Sequence, residues 1–304
     1  MLPFILMTVL LLPLIVESKG HWSYENITIW SRDYGYCAGN LQSPIDLRFN
    51  RSYIDHCLKP MYFQQLSSHA QLSLSNHYVL KNVALGSKDY RVEQIHFHWG
   101  HSNDNVNGSE HLLEGRSYPL EMHVVTYSSW FSNIVEAMTN TRALAVVGVF
   151  FELSNEPNPF LQPIVNVLEH IRDKGKRVIV EEDFNLKGLI GEKRMRRYYR
   201  YDGSLTTPPC YESVIWSVLQ EPLQISSGQL QAFQNLHGEK SELMKNTYRT
   251  IQPLGSRKLF RSFASENIYD DEIKKQVSSK SHGQYLTVNM KISFVLMNLL
   301  MLIV

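Results

Sequence analysis

The stretch Gln94-Ile95-His96-Phe97-His98-Trp99-Gly100 decides how this chain is read. Side chains alternate sides along a β-strand, so His96 and His98, two apart within an aromatic run, share one face and can grip one ion together. A second alternating segment, Glu121-Met122-His123-Val124-Val125, offers a third imidazole if it lies beside the first.

Three neutral imidazoles without cysteine suit zinc. Three protein ligands plus an open fourth position distinguish a catalytic zinc site from a closed structural one. Copper and iron also accept imidazole. A ligating histidine gives its other N–H to a carboxylate or carbonyl. Gln94 shares the face of His96 and His98, and Glu121 shares that of His123. Both are polar where an ordinary core strand would carry Val or Ile.

Working outward, the chain has 304 residues, 43% hydrophobic and 19% charged, the composition of a globular protein with a substantial core. A formal net charge of +1 and the lack of a long Lys/Arg run exclude a nucleic-acid partner. Met1 to Val16 is almost wholly apolar and is followed by Glu17-Ser18-Lys19-Gly20, which reads as a secretory signal peptide over residues 1–20. Ile292 to Val304 is a terminal apolar run, shorter than the about 20 residues a membrane helix needs. The small residues Ser278, Ser279 and Ser281 and a polar spacer precede it, the layout of a GPI attachment signal with those serines as candidate sites. A single-span C-terminal anchor is the alternative. Both ends together predict the extracellular face of the plasma membrane, with the membrane reached through a lipid anchor.

In an oxidising compartment Cys37, Cys57 and Cys210 permit one disulfide and leave one thiol, and sequence alone does not choose the pair. Asn26, Asn50 and Asn107 head glycosylation sequons.

Residues 21 to about 60 read as an irregular wrapping arm. Period-two segments predict strands at 71–75, 78–80, 90–99 and 120–127, with further strands at 143–153 and 214–219. Helical spacing predicts helices over 160–174 and 227–236, and shorter turns at 134–138 and 186–190. With no repeat or linker, the expected layout is one domain at 21–262, a polar stalk at 263–283 and a removable C-terminal segment at 284–304.

Five stretches taken in order resemble the signatures of the α-class carbonic anhydrases. They are Gln42-Ser43-Pro44-Ile45-Asp46, Gln94 to Gly100, Gly108-Ser109-Glu110-His111, Glu121-Met122-His123 and Gly203-Ser204-Leu205-Thr206-Thr207-Pro208-Pro209. Tyr24, Trp30 and Trp216 fit as well, and the resemblance covers roughly residues 21–262. The positions of Cys37 and Cys210 and the two end signals make the extracellular, GPI-anchored members the nearest likeness.

The resemblance implies a mixed α/β, sheet-dominated single domain, with a large twisted, mainly antiparallel central β-sheet and short peripheral helices. It implies reversible hydration of carbon dioxide to bicarbonate and a proton, with Zn2+ on His96, His98 and His123. Thr206 and Glu110 match the gatekeeping pair: an ionised carboxylate only accepts, so the threonine hydroxyl donates to it. Thr207 would contact bicarbonate, and Val125, Val146, Leu205, Val214 and Trp216 would form an apolar wall for carbon dioxide. Tyr24 would order cavity water, and Cys37 would pair with Cys210. A proton relay is expected at His77, with His69 as the alternative, because the segment before His96 is shorter than the family's. Thr247 and Thr250 also depart from the family's pattern, and a glycan on Asn107 would crowd the loop of Glu110. The competing class is a catalytically silent binding or adhesion domain; the presence of His96, His98, His123, Thr206 and Glu110 argues against it.

Overall fold

Residues 22–66, 78–83, 89–101, 107–173, 176, 178, 184–238 and 242–266 are described by a computed structural model. The leader at 1–20, the strand expected at 71–75, His69, His77 and Ser278, Ser279 and Ser281 lie outside the described residues. The chain divides into two units, Met1–Phe263 and Ala264–Val304, and every element below belongs to the first.

The strands are β1 (Asp46–Leu47), β2 (Ser52–Ile54), β3 (Tyr62–Gln65), β4 (Tyr78–Lys81), β5 (Tyr90–Trp99), β6 (Leu112–Leu113), β7 (Leu120–Ser128), β8 (Leu144–Ser154), β9 (Tyr198–Gly203), β10 (Val214–Leu219), β11 (Leu223–Ser226) and β12 (Leu259–Arg261). Among the described residues, ten of them form one sheet in the order β2-β12-β9-β10-β8-β7-β5-β4-β3, with β11 also on β8. Antiparallel pairing dominates; β2 with β12, β8 with β10 and β8 with β11 run parallel.

Strand β7 sits near the middle of the sheet and every one of its residues is buried, as expected of a strand covered on both faces. On β5, Tyr90, Val92, Ile95, Phe97 and Trp99 enter one core cluster together with Phe151, Ile164 and Phe233. Val125, Tyr127, Val146, Tyr201 and Trp216 enter a second cluster. The sheet is therefore packed on both sides, and the face of the second cluster carries the histidines.

Peripheral helices seal the first cluster. Gln162–Leu168, continued by a 3-10 turn at Glu169–Ile171, buries Ile164, Leu168 and Ile171 at helical spacing. Ser227–Gln234 starts from a capping box in which the Ser226 side chain and Gln229 satisfy each other's backbone N–H. The expected short turns appear as helices at Ile134–Ala137 and Leu186–Ile190.

The N-terminal arm is more ordered than its composition suggests. It holds 3-10 turns, a short helix at Trp30–Asp33 and strands β1 and β2. A disulfide joins Cys37 to Cys210, and Cys57 is free and exposed. Arg249 pins the same arm, donating to Gln42 Oε1, Ser43 O and Cys37 O from a buried position. At the other end Phe263 is buried beside Phe49 and Tyr199, so packing continues through residue 263.

Candidate metal centre

Register brings the imidazoles together. His96 on β5 stands directly opposite His123 on β7, and His98 stands opposite Glu121. Opposed residues share a face with their Cβ atoms about 5 Å apart, so one ion lies within reach of all three histidines. His123 Nδ1 lies 3.0 Å from His98 Nε2 and 3.3 Å from His96 Nε2.

The outward ring nitrogens settle which tautomers are present. His98 Nδ1 donates to the Thr247 carbonyl at 2.6 Å, and His123 Nε2 donates to Glu121 Oε1 at 2.8 Å. Their inward nitrogens are then bare lone pairs facing each other, an arrangement that repels unless a cation sits between them. His96 Nδ1 lies 3.1 Å from the Gln94 side-chain amide. Half a turn of that amide places its oxygen there and lets the ring donate.

Charges reinforce the pattern. Burial, followed by the charges of the two neighbouring histidines, pushes His96 well below the usual imidazole range, and burial also lowers His98, so both are neutral and ready to ligate. Burial raises the Glu121 carboxyl, but the charges and hydrogen bonds of His111 and His123 outweigh it and hold the group well below the usual range. Glu110 is buried, its Oε2 has no hydrogen-bonding partner, and that oxygen lies 3.4 Å from His98 Nε2. A buried, unpartnered carboxylate oxygen beside converging imidazoles fits a divalent cation. The three-histidine donor set is the one zinc prefers when a fourth position stays open.

Comparison with known proteins agrees with this chemistry. The eukaryotic-type carbonic anhydrase family matches residues 25–263. The chain belongs to that family. It is 35% identical to human carbonic anhydrase 12 over 268 residues, covering 81% of this chain and 74% of the relative. It is 34% identical to human mitochondrial carbonic anhydrase 5A over 266 residues, covering 81% of this chain and 85% of the relative. As a carbonic anhydrase it is a lyase that hydrates carbon dioxide.

The residues expected to form the apolar wall fall into the same register. Gln94, Val125, Val146, Trp216 and Tyr201 are successive partners across β5, β7, β8, β10 and β9, forming one row on the histidine face. Val125, Val146, Val214 and Trp216 are buried in the second cluster, with partly buried Leu205 packed against it. Tyr24 packs edge-on to Trp22 and lies close enough to Glu110 that burial and the carboxylate charge together raise its phenol well above the usual range. Thr206 is buried and Thr207 half-buried. The hydrogen bond expected from Thr206 to Glu110 is not formed: Oε1 accepts from the Arg249 backbone N–H at 2.8 Å, and Oε2 faces the imidazoles. Asn26, Asn50 and Asn107 are all exposed.

Two contributors, Thr247 and His111, carry no local signal of their role, and a third, Gly148, carries a faint one. The Thr247 carbonyl orients His98 from a segment 149 positions away. His111 bridges Glu121 Oε1 at 2.7 Å and the Tyr201 hydroxyl at 2.7 Å, which in turn donates to Ser43 Oγ. Gly148, opposite His123 on β8, leaves the space the Glu121 carboxylate occupies. A glycine inside an apolar strand is a sign of such close approach.

Proposed function

We propose that this chain is a zinc-dependent carbonic anhydrase interconverting carbon dioxide and bicarbonate at the outer face of a cell membrane, held there by a C-terminal lipid anchor. The observation that carries the zinc reading is the convergence of three imidazole nitrogens within 4.8 Å of one another, two of the rings having their outward N–H groups committed to fixed acceptors. Zinc, when bound, supplies the Lewis acidity that makes water a nucleophile at neutral pH, an established property of carbonic anhydrases.

The chain's own residues do the rest. His96, His98 and His123 hold the ion, and Gln94, Thr247 and Glu121 keep their rings turned inward. In the structure Thr206 is not bonded to Glu110. In the working enzyme Thr206 turns onto that carboxylate, so Glu110 accepts, Thr206 donates, and the threonine oxygen is left to accept from the attacking group and fix its direction. The row of Val125, Val146 and Trp216, with Val214 and Leu205, excludes water where apolar carbon dioxide sits. Thr207 contacts bicarbonate, Tyr24 orders water at the mouth, and His77 or His69 relays the proton outward.

Export is supported by the apolar leader, the three exposed sequons and the buried Cys37–Cys210 disulfide, which persists in an oxidising compartment. The anchor is supported by the terminal apolar run after Ser278, Ser279 and Ser281. Among the described residues no helix is long and apolar enough to cross a membrane. Stopped-flow hydration by the purified protein tests the catalytic reading: sulfonamide-sensitive hydration is expected, and stoichiometric zinc without it would favour a binding module. Release from cell membranes by phosphatidylinositol-specific phospholipase C tests the anchor, and retention despite active lipase would point to a protein span.

A further inference from the structure

We infer that the Glu93 carboxylate is a proton acceptor in the wall of the site, taking the proton that carbon dioxide hydration releases and handing it to buffer. The inference rests on the hydration reading above. Its basis is a β-bulge. Val92 pairs with Thr126 and Gln94 pairs with Val125, which leaves Glu93 unopposed between them. Tyr90 and Val92 lie in the first core cluster, and so do Ile95, Phe97 and Trp99. One residue separates core-facing positions elsewhere on β5, but two separate Val92 from Ile95. Both Glu93 and Gln94 are therefore turned to the opposite face, the one that carries His96 and His98. Gln94 on that face already touches His96.

At about 3.3 Å per residue, Glu93 begins about 10 Å along the strand from His96, a span that a short water chain bridges. Its side chain is half-buried. Burial raises its carboxyl, and among the described residues no cation or hydrogen-bond donor offsets that. Arg91 is the charged residue sharing this face of β5, and Val125, Thr126 and Tyr127 stand across on β7; no ion pair joins Arg91 to Glu93. A carboxylate that is partly desolvated and unpaired is a stronger base than a surface one in a salt bridge. The balance is simple. Carbon dioxide and water give bicarbonate and one proton; the proton moves to a Glu93 Oε atom and leaves on a buffer base, restoring the carboxylate.

The test compares zinc-loaded wild type with Glu93→Gln and Glu93→Asp, each also combined with His77→Ala, by stopped-flow hydration in dilute buffer and in concentrated imidazole. Glu93→Gln is expected to lower kcat by up to about a hundredfold in dilute buffer, the low end for loss of a general base, with kcat/KM held. Imidazole should restore kcat, and Glu93→Asp should keep part of it. An unchanged kcat in dilute buffer in both backgrounds would overturn the inference. So would a loss of kcat and kcat/KM together that imidazole does not restore, since that marks a structural role. A second readout is independent of turnover: the 13C carboxyl titration of Glu93 should move to lower pH when zinc is loaded, because a nearby cation favours the carboxylate. Coincident curves would place Glu93 away from the site and overturn the inference even if wild type hydrates carbon dioxide. Absence of hydration by wild type would instead remove the catalytic reading.

Discussion

Gly148 lies against the carboxylate of Glu121: a Cβ at this glycine would stand 3.1 Å from Glu121 Oε1 and 3.3 Å from Val218 Cγ2. That oxygen accepts from both His111 Nδ1, at 2.7 Å, and His123 Nε2, at 2.8 Å. The absence of a side chain on β8 therefore lets one carboxylate oxygen hold the His123 ring in the tautomer that leaves Nδ1 bare and turned toward His96 and His98.

Gly148→Ala should push that oxygen aside. Zinc binding is expected to weaken about tenfold, the usual cost of disturbing a group that orients a metal-binding histidine. The added methyl should also destabilise the fold by about 1–3 kcal/mol through overpacking. Chelator competition reads the first effect and denaturant unfolding the second. Unchanged zinc affinity would show that Glu121 relaxes freely.

Acid should destabilise the zinc-free protein. Burial lowers the pKa of His96 and His98 in the folded state, so the unfolded chain binds more protons. Stability is then fullest above the unfolded histidine pKa of about 6.5 and falls as pH drops from there toward the lower folded values. Unfolding midpoints across about pH 7 to 5 should decline for wild type and flatten in a His96→Gln, His98→Gln double variant. A flat wild-type profile would contradict buried neutral imidazoles.

Removing the disulfide should loosen the arm. Cys37 and Cys210 are 173 positions apart, so on the chain-entropy account the bridge stabilises by up to about 5 kcal/mol. A Cys37→Ser, Cys210→Ser variant should unfold at lower denaturant with retained zinc, because the pairing of β5 with β7 positions the three histidines, and the two cysteines pack in a separate cluster around Trp30. Loss of zinc together with stability would mean that the loop after Leu205 is coupled to the centre more tightly than its contacts indicate.

Much of this architecture is legible in the sequence, for particular reasons. Alternation places His96 and His98 on one face, and Glu121 beside His123 marks a polar pair inside an apolar strand. Strand β9 is harder to see, because Arg200 interrupts Tyr198-Tyr199-Arg200-Tyr201 with a charge in a buried position. That guanidinium is held by Ser217 Oγ at 3.0 Å and lies over the Tyr198 ring, contacts that no local pattern encodes. The bulge at Glu93 is equally hidden, since period two counted back from His96 assigns Glu93 to the core. Thr247 and His111 act through partners distant in the chain, and only the assembled sheet brings them to the imidazoles.

The central claim is that His96, His98 and His123 hold one zinc ion and that this ion carries carbon dioxide hydration. Zinc content and stopped-flow hydration, measured in parallel on wild type and His98→Ala, test it most directly. The account predicts one zinc per wild-type chain with sulfonamide-sensitive hydration, and loss of both in His98→Ala while the fold survives by circular dichroism. Full hydration by a zinc-depleted His98→Ala protein would contradict it.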